Sequence, residues 1–270
     1  MNPPLSPDIV GRHLLGVRFD ALTFADFKKY VEQILRGSAQ RLMFTPNPEM
    51  LVKAQTDTYF KRVLNQSDLN LCDGRGTELA LAYQTSTPRI ERIPGSDAVL
   101  EICRQAEQLQ QTIFLLGSGK SNTLRAAQNN LNQRFPNLQI VGTDPGPELH
   151  EDEQGRLVEP DSTREVVEKI AAAKPDILFV AFGMGKQEKW IHVHAGELPS
   201  IKLAMGVGGT FEFIAGEIPR APQWMRAVGL EWLYRLYQEP QRFGRIWRAT
   251  MVFSWLVAKE QFESGTRAGS

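Results

Sequence analysis

The sequence predicts an α/β protein with a Rossmann-like, mostly parallel sheet, helices on both faces of that sheet, and a helical C-terminal appendage. Short apolar runs of strand type alternate with helical segments along most of the chain. Several of these runs end in a glycine-rich turn that opens the next helix, which is typical of the ligand-binding edge of such sheets. The run 175–181 is almost continuously apolar, as expected of a strand covered on both faces.

Composition indicates one large globular domain with a small addition. The 270 residues are 42% apolar and 23% charged, and the formal net charge is zero. We expect an α/β domain over 1–216, a basic helical appendage over 217–262 and a disordered polar tail over 263–270. No signal peptide is expected, and no apolar run reaches the roughly 18 residues of a spanning helix.

Hydrophobic spacing and capping residues predict the individual elements. The predicted strands are 13–19, 41–44, 69–72, 112–116, 138–142, 175–181 and 201–206. The predicted helices are 24–35, 50–64, one that follows Gly74, 98–109, 122–135, 161–173 and 186–194. Thr23 is expected to cap the first helix, and Asp57 to break the second. Residues 143–160 contain three prolines and are predicted to form a surface loop.

The two cysteines, Cys72 and Cys103, lack the spacing of a disulfide framework. One of them falls in a predicted strand. We therefore expect two reduced thiols and a cytosolic location.

A strand, a tight turn and a helix start meet at residues 69–78. Gly74 and Gly76 permit positive φ and a close approach of ligand, and the amides that open the helix can bind an anion. Asp73 lies at the carboxyl end of the strand, where open α/β sheets bind ligands, so it is a candidate general base. The alternative is that Asp73 caps the helix, because Asp is a preferred N-cap residue.

Two polar residues, Thr45 and Asn47, follow the strand 41–44 and are flanked by prolines. Their side chains suit a sugar hydroxyl or a phosphate. Asn47 also suits the N-cap of the next helix, and the two roles are compatible.

The turn with Gly117 and Gly119 follows a strand and opens a helix, as a nucleotide loop does. It lacks a glycine that a P-loop needs, and Asn122 stands where a dinucleotide fingerprint has its third glycine. An acidic residue is also missing about twenty positions further on. These departures disfavour an NAD-dependent oxidoreductase.

Seven motifs occur along the chain in a fixed order. They are Thr45-x-Asn47-x-Glu49, Asp73-Gly74-x-Gly76, Arg92-x-x-Gly95-x-Asp97, Gly183-Met184-Gly185-Lys186-Gln187-Glu188-Lys189-Trp190, Gly206-Val207-Gly208-Gly209-Thr210-Phe211-Glu212-Phe213, Arg220-Ala221-Pro222-x-Trp224, and a segment from Gly229 to Arg242. In this order they resemble the WecG/TagA/CpsF glycosyltransferases, family 26, over roughly 14–247. Gly185 stands where that family usually has proline.

The resemblance implies transfer of a sugar, commonly N-acetylmannosamine or its uronic acid, from a UDP-sugar to a polyprenyl-diphosphate-linked sugar, with inversion. It places the enzyme at the cytoplasmic face of the membrane. The implied catalytic residues are Asp73 as base, Thr45, Asn47, Arg92 and Gln187. The candidates for donor binding are Gly74, Gly76, Asp97, Gly117, Gly183, Lys186, Glu188, Gly208 and Gly209. A catalytically silent nucleotide-sugar binder at the membrane is the alternative.

No cofactor or metal ion is expected. His192 and His194 are two positions apart on a predicted helix, which turns their side chains about 200° away from each other. The chain has no Asp-x-Asp pair to hold a divalent ion. Positive side chains and helix N-termini would then neutralise the leaving diphosphate.

The appendage is basic and rich in tryptophan. Residues 219–248 hold six arginines and two glutamates, a net charge of +4, and four of the five tryptophans follow residue 219. The resemblance implies that Arg235, Arg242 and Arg245 are its functional cations, and Arg220 is a further candidate for the lipid diphosphate. Trp and Arg favour the membrane–water boundary. The alternative is an amphipathic helix that packs on the sheet or on a second copy of the chain. No nucleic-acid partner is expected.

Overall fold

The computed structural model describes residues 10–84, 90–222, 225, 231–238 and 243–268. The strands are β1 (Gly11–Leu14), β2 (Val17–Asp20), β3 (Arg41–Phe44), β4 (Leu69–Asn70), β5 (Thr112–Gly117), β6 (Gln139–Asp144), β7 (His150–Glu151), β8 (Leu157–Val158), β9 (Ile177–Ala181) and β10 (Leu203–Gly206). The helices are α1 (Phe24–Arg36), α2 (Pro48–Thr56), α3 (Thr58–Asn65), α4 (Arg75–Gln84), α5 (Gly95–Gln108), α6 (Ser121–Arg134), α7 (Ser162–Ala173), α8 (Lys186–His194), α9 (Thr210–Ala215), α10 (Glu231–Gln238) and α11 (Phe243–Ala268).

Six strands form one all-parallel sheet in the order β4-β3-β10-β9-β5-β6, which confirms the predicted α/β class. Alternate residues of β9 enter different apolar clusters. Leu178 and Val180 belong to one cluster, whereas Ile177 and Phe179 belong to the other. The sheet is therefore covered on both faces, as the apolar run 175–181 predicted.

Local chemistry explains where the first helices begin and end. Thr23 forms a capping box with Asp26 at the start of α1. Asn47 Oδ1 accepts a hydrogen bond from Met50 N at 3.1 Å and caps α2. Asp57 ends α2, and its Oδ1 accepts from Phe60 N at 2.8 Å to start α3. The predicted caps and the predicted break at Asp57 are confirmed.

Two short antiparallel hairpins differ from the sequence-based prediction. The single strand predicted over 13–19 is wrong, because Leu15 (φ 54°) and Gly16 (φ 73°) form a two-residue turn between β1 and β2. The loop predicted over 143–160 contains the pair β7 and β8, in which His150 pairs with Val158. Neither hairpin joins the parallel sheet.

Helix α11 is longer than the apolar stretch 246–258 and continues to Ala268, through six residues predicted to belong to a disordered tail. Extending a helix costs less than nucleating one, so the polar end continues an existing helix. Phe253 and Val257 are buried in the same apolar cluster as α2 and α4 residues. Glu260 accepts hydrogen bonds from Leu15 N at 3.0 and 3.2 Å. One face of α11 is thus fixed to the α/β domain.

The opposite face of α11 is apolar and exposed to solvent. Its exposed large side chains are Phe243, Trp247, Met251, Trp255 and Phe262. Arg235 falls in α10 and Arg245 in α11, whereas Arg242 and Trp224 lie outside the described residues. In the described parts of the chain, no helix combines the length and the apolar character needed to cross a membrane.

Candidate functional site

The turns after β3 and β4 meet the start of α5 at the carboxyl edge of the sheet. A β-carbon placed on Gly95 would lie 3.5 Å from Thr45 Oγ1 and 4.0 Å from Asp73 Oδ2. The backbone is tied together at the same place, because Asp73 N donates to Pro46 O at 3.3 Å and Ile93 N donates to Cys72 O at 2.8 Å. The structure therefore brings the candidate base and its neighbouring hydroxyl to one point beside a helix N-terminus.

Gly74 and Gly76 serve different purposes. Gly74 has φ 106°, and a β-carbon on it would lie only 3.0 Å from Pro48 Cδ, so this turn requires glycine. Gly76 lies inside α4 and is absent from the positive-φ glycines, so the expectation of positive φ there is wrong. A β-carbon on Gly76 would meet Phe253 Cε1 at 3.4 Å, which shows that α11 passes close to this helix.

The position of Asp73 in the chain shows that it is not the N-cap residue of α4. Gly74 O accepts the hydrogen bond from Glu78 N at 3.1 Å, which is the first bond of α4. Gly74 therefore occupies the N-cap position, and Asp73 precedes it. Burial raises the pKa of the neighbouring Cys72 thiol, and the charge of Asp73 raises it further, so Cys72 stays protonated and inert. Both cysteines are free, as predicted, and both are buried.

Arg92 and Asp97 line a cleft of about 490 Å³ beside α5, together with Arg104 and Arg134. Asp97 Oδ1 accepts a hydrogen bond from Arg220 Nη2 at 2.7 Å, and Ser96 Oγ accepts from the same nitrogen at 2.7 Å. Asp97 and Arg220 were assigned to different ligands by sequence. The structure pairs them with each other, and this ion pair ties the segment after α9 to the start of α5.

A second cleft, also of about 490 Å³, lies where β5, β6, β9 and β10 end. Its wall includes four residues from the predicted donor set: Gly183, Lys186, Gly208 and Gly209. Lys186 Nζ donates to Leu149 O at 3.0 Å, which holds the loop after β6 against α8. Helices α6 and α8 begin at this edge, so their N-terminal amides face the cleft region. Because β10 is the neighbour of β3, this cleft and the Asp73 turn share one edge of the sheet.

Two polar atoms in the second cleft have no hydrogen-bond partner within the described structure. Ser118 Oγ and Glu212 Oε2 are buried and unpaired, and both residues line the cleft. Buried polar atoms normally have hydrogen-bond partners, so these two are candidates for contact with a ligand. Sequence reasoning missed both. The available signal for Glu212 is an acidic residue three positions after the Gly208-Gly209 turn, at the end of a buried strand.

Gln187 and Glu188 are buried behind the cleft. Gln187 Oε1 accepts from Gly208 N at 3.0 Å, and its Nε2 donates to Glu188 Oε1 at 2.7 Å. Glu188 Oε2 accepts from Gly185 N at 2.8 Å. Burial raises the pKa of Glu188 above its ordinary value, although these hydrogen bonds oppose the effect. The pair holds the turns after β9 and β10 together.

Two glycines in this region are required by backbone geometry. Gly185 has φ 88°, which proline cannot adopt, so this turn differs from one with the family's usual proline. Gly117 has φ 106°, and a β-carbon on it would lie 2.5 Å from Ala181 O. Gly117 therefore permits close packing of the turn on β9, and it does not line the cleft.

A cluster of four charges, of which Lys189 is fully buried, holds the β7–β8 hairpin, which continues from the loop that lines the cleft. Lys189 Nζ, fully buried, donates to Asp57 Oδ2 at 2.6 Å, to Glu151 Oε1 at 2.7 Å and to Gly155 O. Lys53 Nζ donates to Glu151 Oε2 at 2.7 Å. Burial alone would raise the pKa of Glu151, but its bonds to Lys189 and Lys53 lower it, so Glu151 stays ionised. The cluster joins α2, α8 and the hairpin.

The two histidines of α8 make separate contacts. His194 Nδ1 pairs with Glu197 at 2.9 Å and Nε2 pairs with Glu159 at 2.9 Å, whereas the His192 ring lies against Tyr59. Over the residues that the structure describes, no group of three or more His, Cys, Asp or Glu side chains is placed to hold a metal ion.

Comparison with known proteins gives consistent matches along the chain. The family model described as "Glycosyl transferase WecG/TagA/CpsF family" matches residues 12–267. A protein of Staphylococcus aureus strain MW2 is 32% identical over 248 residues, which are 91% of each chain. A protein of strain MRSA252 is 33% identical over 248 residues, again 91% of each chain. Both are named N-acetylglucosaminyldiphosphoundecaprenol N-acetyl-beta-D-mannosaminyltransferase.

Proposed function

The chain belongs to the WecG/TagA/CpsF family of glycosyltransferases, and we propose that it moves an N-acetylmannosamine-type sugar from a UDP-sugar to a polyprenyl-diphosphate-linked sugar in cell-surface polysaccharide synthesis. The observation that carries this proposal is the shared sheet edge, which holds both Thr45 and Asp73 and a glycine-rich cleft with two unpaired buried polar atoms. The names of the relatives support the acceptor class.

In the proposed reaction Asp73 is the general base. The acceptor hydroxyl loses its proton to the Asp73 carboxylate as its oxygen bonds to the anomeric carbon, and the bond from that carbon to UDP breaks. One displacement inverts the anomeric centre, so one carboxylate on the acceptor side is sufficient. Thr45 Oγ1 faces the same point as Asp73 Oδ2 and is placed to orient the acceptor hydroxyl.

The second cleft is the proposed donor site. Glu212 Oε2 can accept a hydrogen bond from a ribose hydroxyl, and Ser118 Oγ can donate to or accept from the nucleotide. Lys186 and the amides that begin α8 supply positive charge toward the diphosphate. No metal ion is part of the proposal, because the sequence has no Asp-x-Asp pair, and we expect transfer to continue in EDTA.

The enzyme is also proposed to act as a peripheral protein at the inner face of the cell membrane. The exposed apolar face of α11 carries Trp247, Met251 and Trp255 at a spacing of four residues. The net charge of +4 over 219–248 suits an anionic lipid surface. The opposite face is fixed to α2 and α4, so membrane contact would place the carboxyl edge near the lipid-linked acceptor.

The direct test is incubation with a panel of UDP-sugars and a short-chain polyprenyl-diphosphate N-acetylglucosamine. Formation of a lipid-linked disaccharide from one UDP-sugar is the expected result. Binding of UDP without transfer from any UDP-sugar would instead favour the catalytically silent binder.

The donor site is tested by Glu212→Gln. We expect the KM for the UDP-sugar to rise about tenfold, with kcat nearly retained, because one hydrogen bond to a charged acceptor contributes about 1.5 kcal/mol or more. Glu148→Gln is the matched control, since this carboxylate lines the same cleft but its side chain is 87% exposed. An unchanged KM in Glu212→Gln would remove this residue from the donor site.

A further inference from the structure

Helix α4 has an apolar face on the solvent side. Within residues 75–83, the exposed positions are Arg75, Gly76, Leu79, Ala82 and Tyr83. Leu79 is 54% exposed and Tyr83 is 79% exposed, whereas the polar Thr77 is fully buried. A surface helix normally shows the reverse pattern. The only charge on the exposed face is Arg75, at the end nearest Asp73.

The exposed residues of α4 form one stripe along the helix. Positions three, four and seven apart lie on the same helix face, so Gly76, Leu79 and Tyr83 are aligned. Because each residue advances about 1.5 Å along a helix, Leu79 lies about 9 Å and Tyr83 about 15 Å from Asp73 along the axis. The stripe therefore leads away from the proposed base in a straight line.

The order of chemical groups along this stripe matches the order within the acceptor. The acceptor presents a sugar hydroxyl, then a diphosphate, then an isoprenoid chain. The protein presents the Asp73 carboxylate, then the Arg75 guanidinium, then Leu79 and Tyr83. Arg75 is 48% exposed, so its guanidinium is accessible to phosphate oxygens although its Nη1 is paired with Glu78 on the next turn.

Helix α11 runs beside the stripe. Phe253 of α11 touches Gly76 at the position where a side chain would stand, and Phe253 itself is 5% exposed. Helix α11 therefore lies next to the Gly76 end of the stripe, which is the end nearest Asp73.

We propose that the solvent face of α4 binds the first isoprenoid units of the acceptor lipid through Leu79 and Tyr83 and its diphosphate through Arg75. This inference rests on the proposed acceptor class and assigns it a place on the α/β domain. On this proposal, α4 allows the protein to bind a prenyl diphosphate more tightly than a free diphosphate.

The test compares binding of farnesyl diphosphate and inorganic diphosphate by calorimetry. We expect the wild-type protein to bind farnesyl diphosphate at least about tenfold more tightly, since buried apolar surface adds to affinity. The double variant Leu79→Ser/Tyr83→Ser should bind the two probes within about threefold of each other. Val158→Ser/Val193→Ser is the matched control, because these valines are 51% and 48% exposed and lie on β8 and α8. It should keep the wild-type preference.

A third variant tests the diphosphate contact. Arg75→Gln should lower the affinity for both probes by a similar factor, roughly three- to tenfold, because both contain a diphosphate. Equal binding of both probes by the wild-type protein, or a preference for farnesyl diphosphate that survives in the α4 double variant, would overturn the proposal. The latter result would place the lipid on α11 or on a second copy of the chain.

The same variants separate this inference from the proposed function. If the binding preference depends on α4 but no UDP-sugar supports transfer, the lipid site stands and the proposed reaction is wrong. If transfer occurs and the binding preference is independent of α4, the reaction stands and the lipid site is wrong. In the transfer assay, the α4 double variant should raise the KM for a long-chain acceptor and leave the KM for the UDP-sugar unchanged.

Discussion

At the residue scale, the proposed chemistry depends on one carboxylate. Asp73→Asn keeps the shape of the side chain and removes its basicity. We expect kcat to fall by roughly 10²-fold or more while the affinity for UDP stays nearly unchanged, because general-base catalysis contributes about 10²- to 10⁴-fold. Steady-state kinetics together with a separate UDP titration would measure both quantities.

The control for this variant is Asp161→Asn, which changes an exposed carboxylate just before α7. It should leave kcat and UDP affinity as in the wild type. Wild-type turnover in Asp73→Asn would show that another group accepts the proton.

The roles of single residues were predictable from sequence where the residues that they contact are close in the chain. The caps formed by Thr23, Asn47 and Asp57 need only a side-chain oxygen and an amide three residues on. The contact of Gly76 with Phe253 and the unpaired oxygen of Glu212 depend on segments that are distant in sequence. No local pattern specifies such contacts.

At the element scale, the charge cluster under the β7–β8 hairpin gives a stability prediction. Lys189→Met should lower the free energy of unfolding by about 1–3 kcal/mol, because Asp57 and Glu151 each lose a hydrogen bond to a fully buried cation. Lys169→Met is the control: this lysine pairs with Asp144 at 2.6 Å but is 51% exposed, so its loss should cost at most about 1 kcal/mol. Urea denaturation of both variants measures the difference, and equal losses would contradict the stabilising role of the buried Lys189.

The elements that sequence reasoning missed are the short and the irregular ones. Helix α8 was predicted with its observed bounds, Lys186–His194, because a glycine turn precedes it and a buried strand comes before that turn. Strands β1 and β2 were predicted as one strand, because leucine rarely adopts positive φ. Leu15 has φ 54° in the turn between the two paired strands. The long elements that carry the candidate residues were therefore predicted correctly, while the β7–β8 hairpin was not foreseen.

At the scale of the whole molecule, membrane binding should have two separable components. The triple variant Arg235→Ala/Arg242→Ala/Arg245→Ala removes cations that contribute about 1 kcal/mol each, so binding to anionic vesicles should weaken by on the order of 10²-fold at low salt and little at high salt. The triple variant Trp247→Ser/Met251→Ser/Trp255→Ser should weaken binding at both salt concentrations, because apolar insertion is not screened. Co-sedimentation measures both. Binding equal to the wild type in both variants would leave the appendage as a packing element.

The strand order has a consequence for how the protein is made. Leu203 of β10 pairs with Arg41 of β3 on one side and with Ile177 of β9 on the other, so the centre of the sheet is completed by its last strand. During synthesis, the half with β3 and β4 and the half with β5, β6 and β9 emerge from the ribosome without the strand that joins them. Pairings of such high sequence separation form late and slowly. The edges of β3 and β9 stay open until residue 206 has left the exit tunnel, and this interval is when a nascent chain is most exposed to aggregation and most dependent on chaperones.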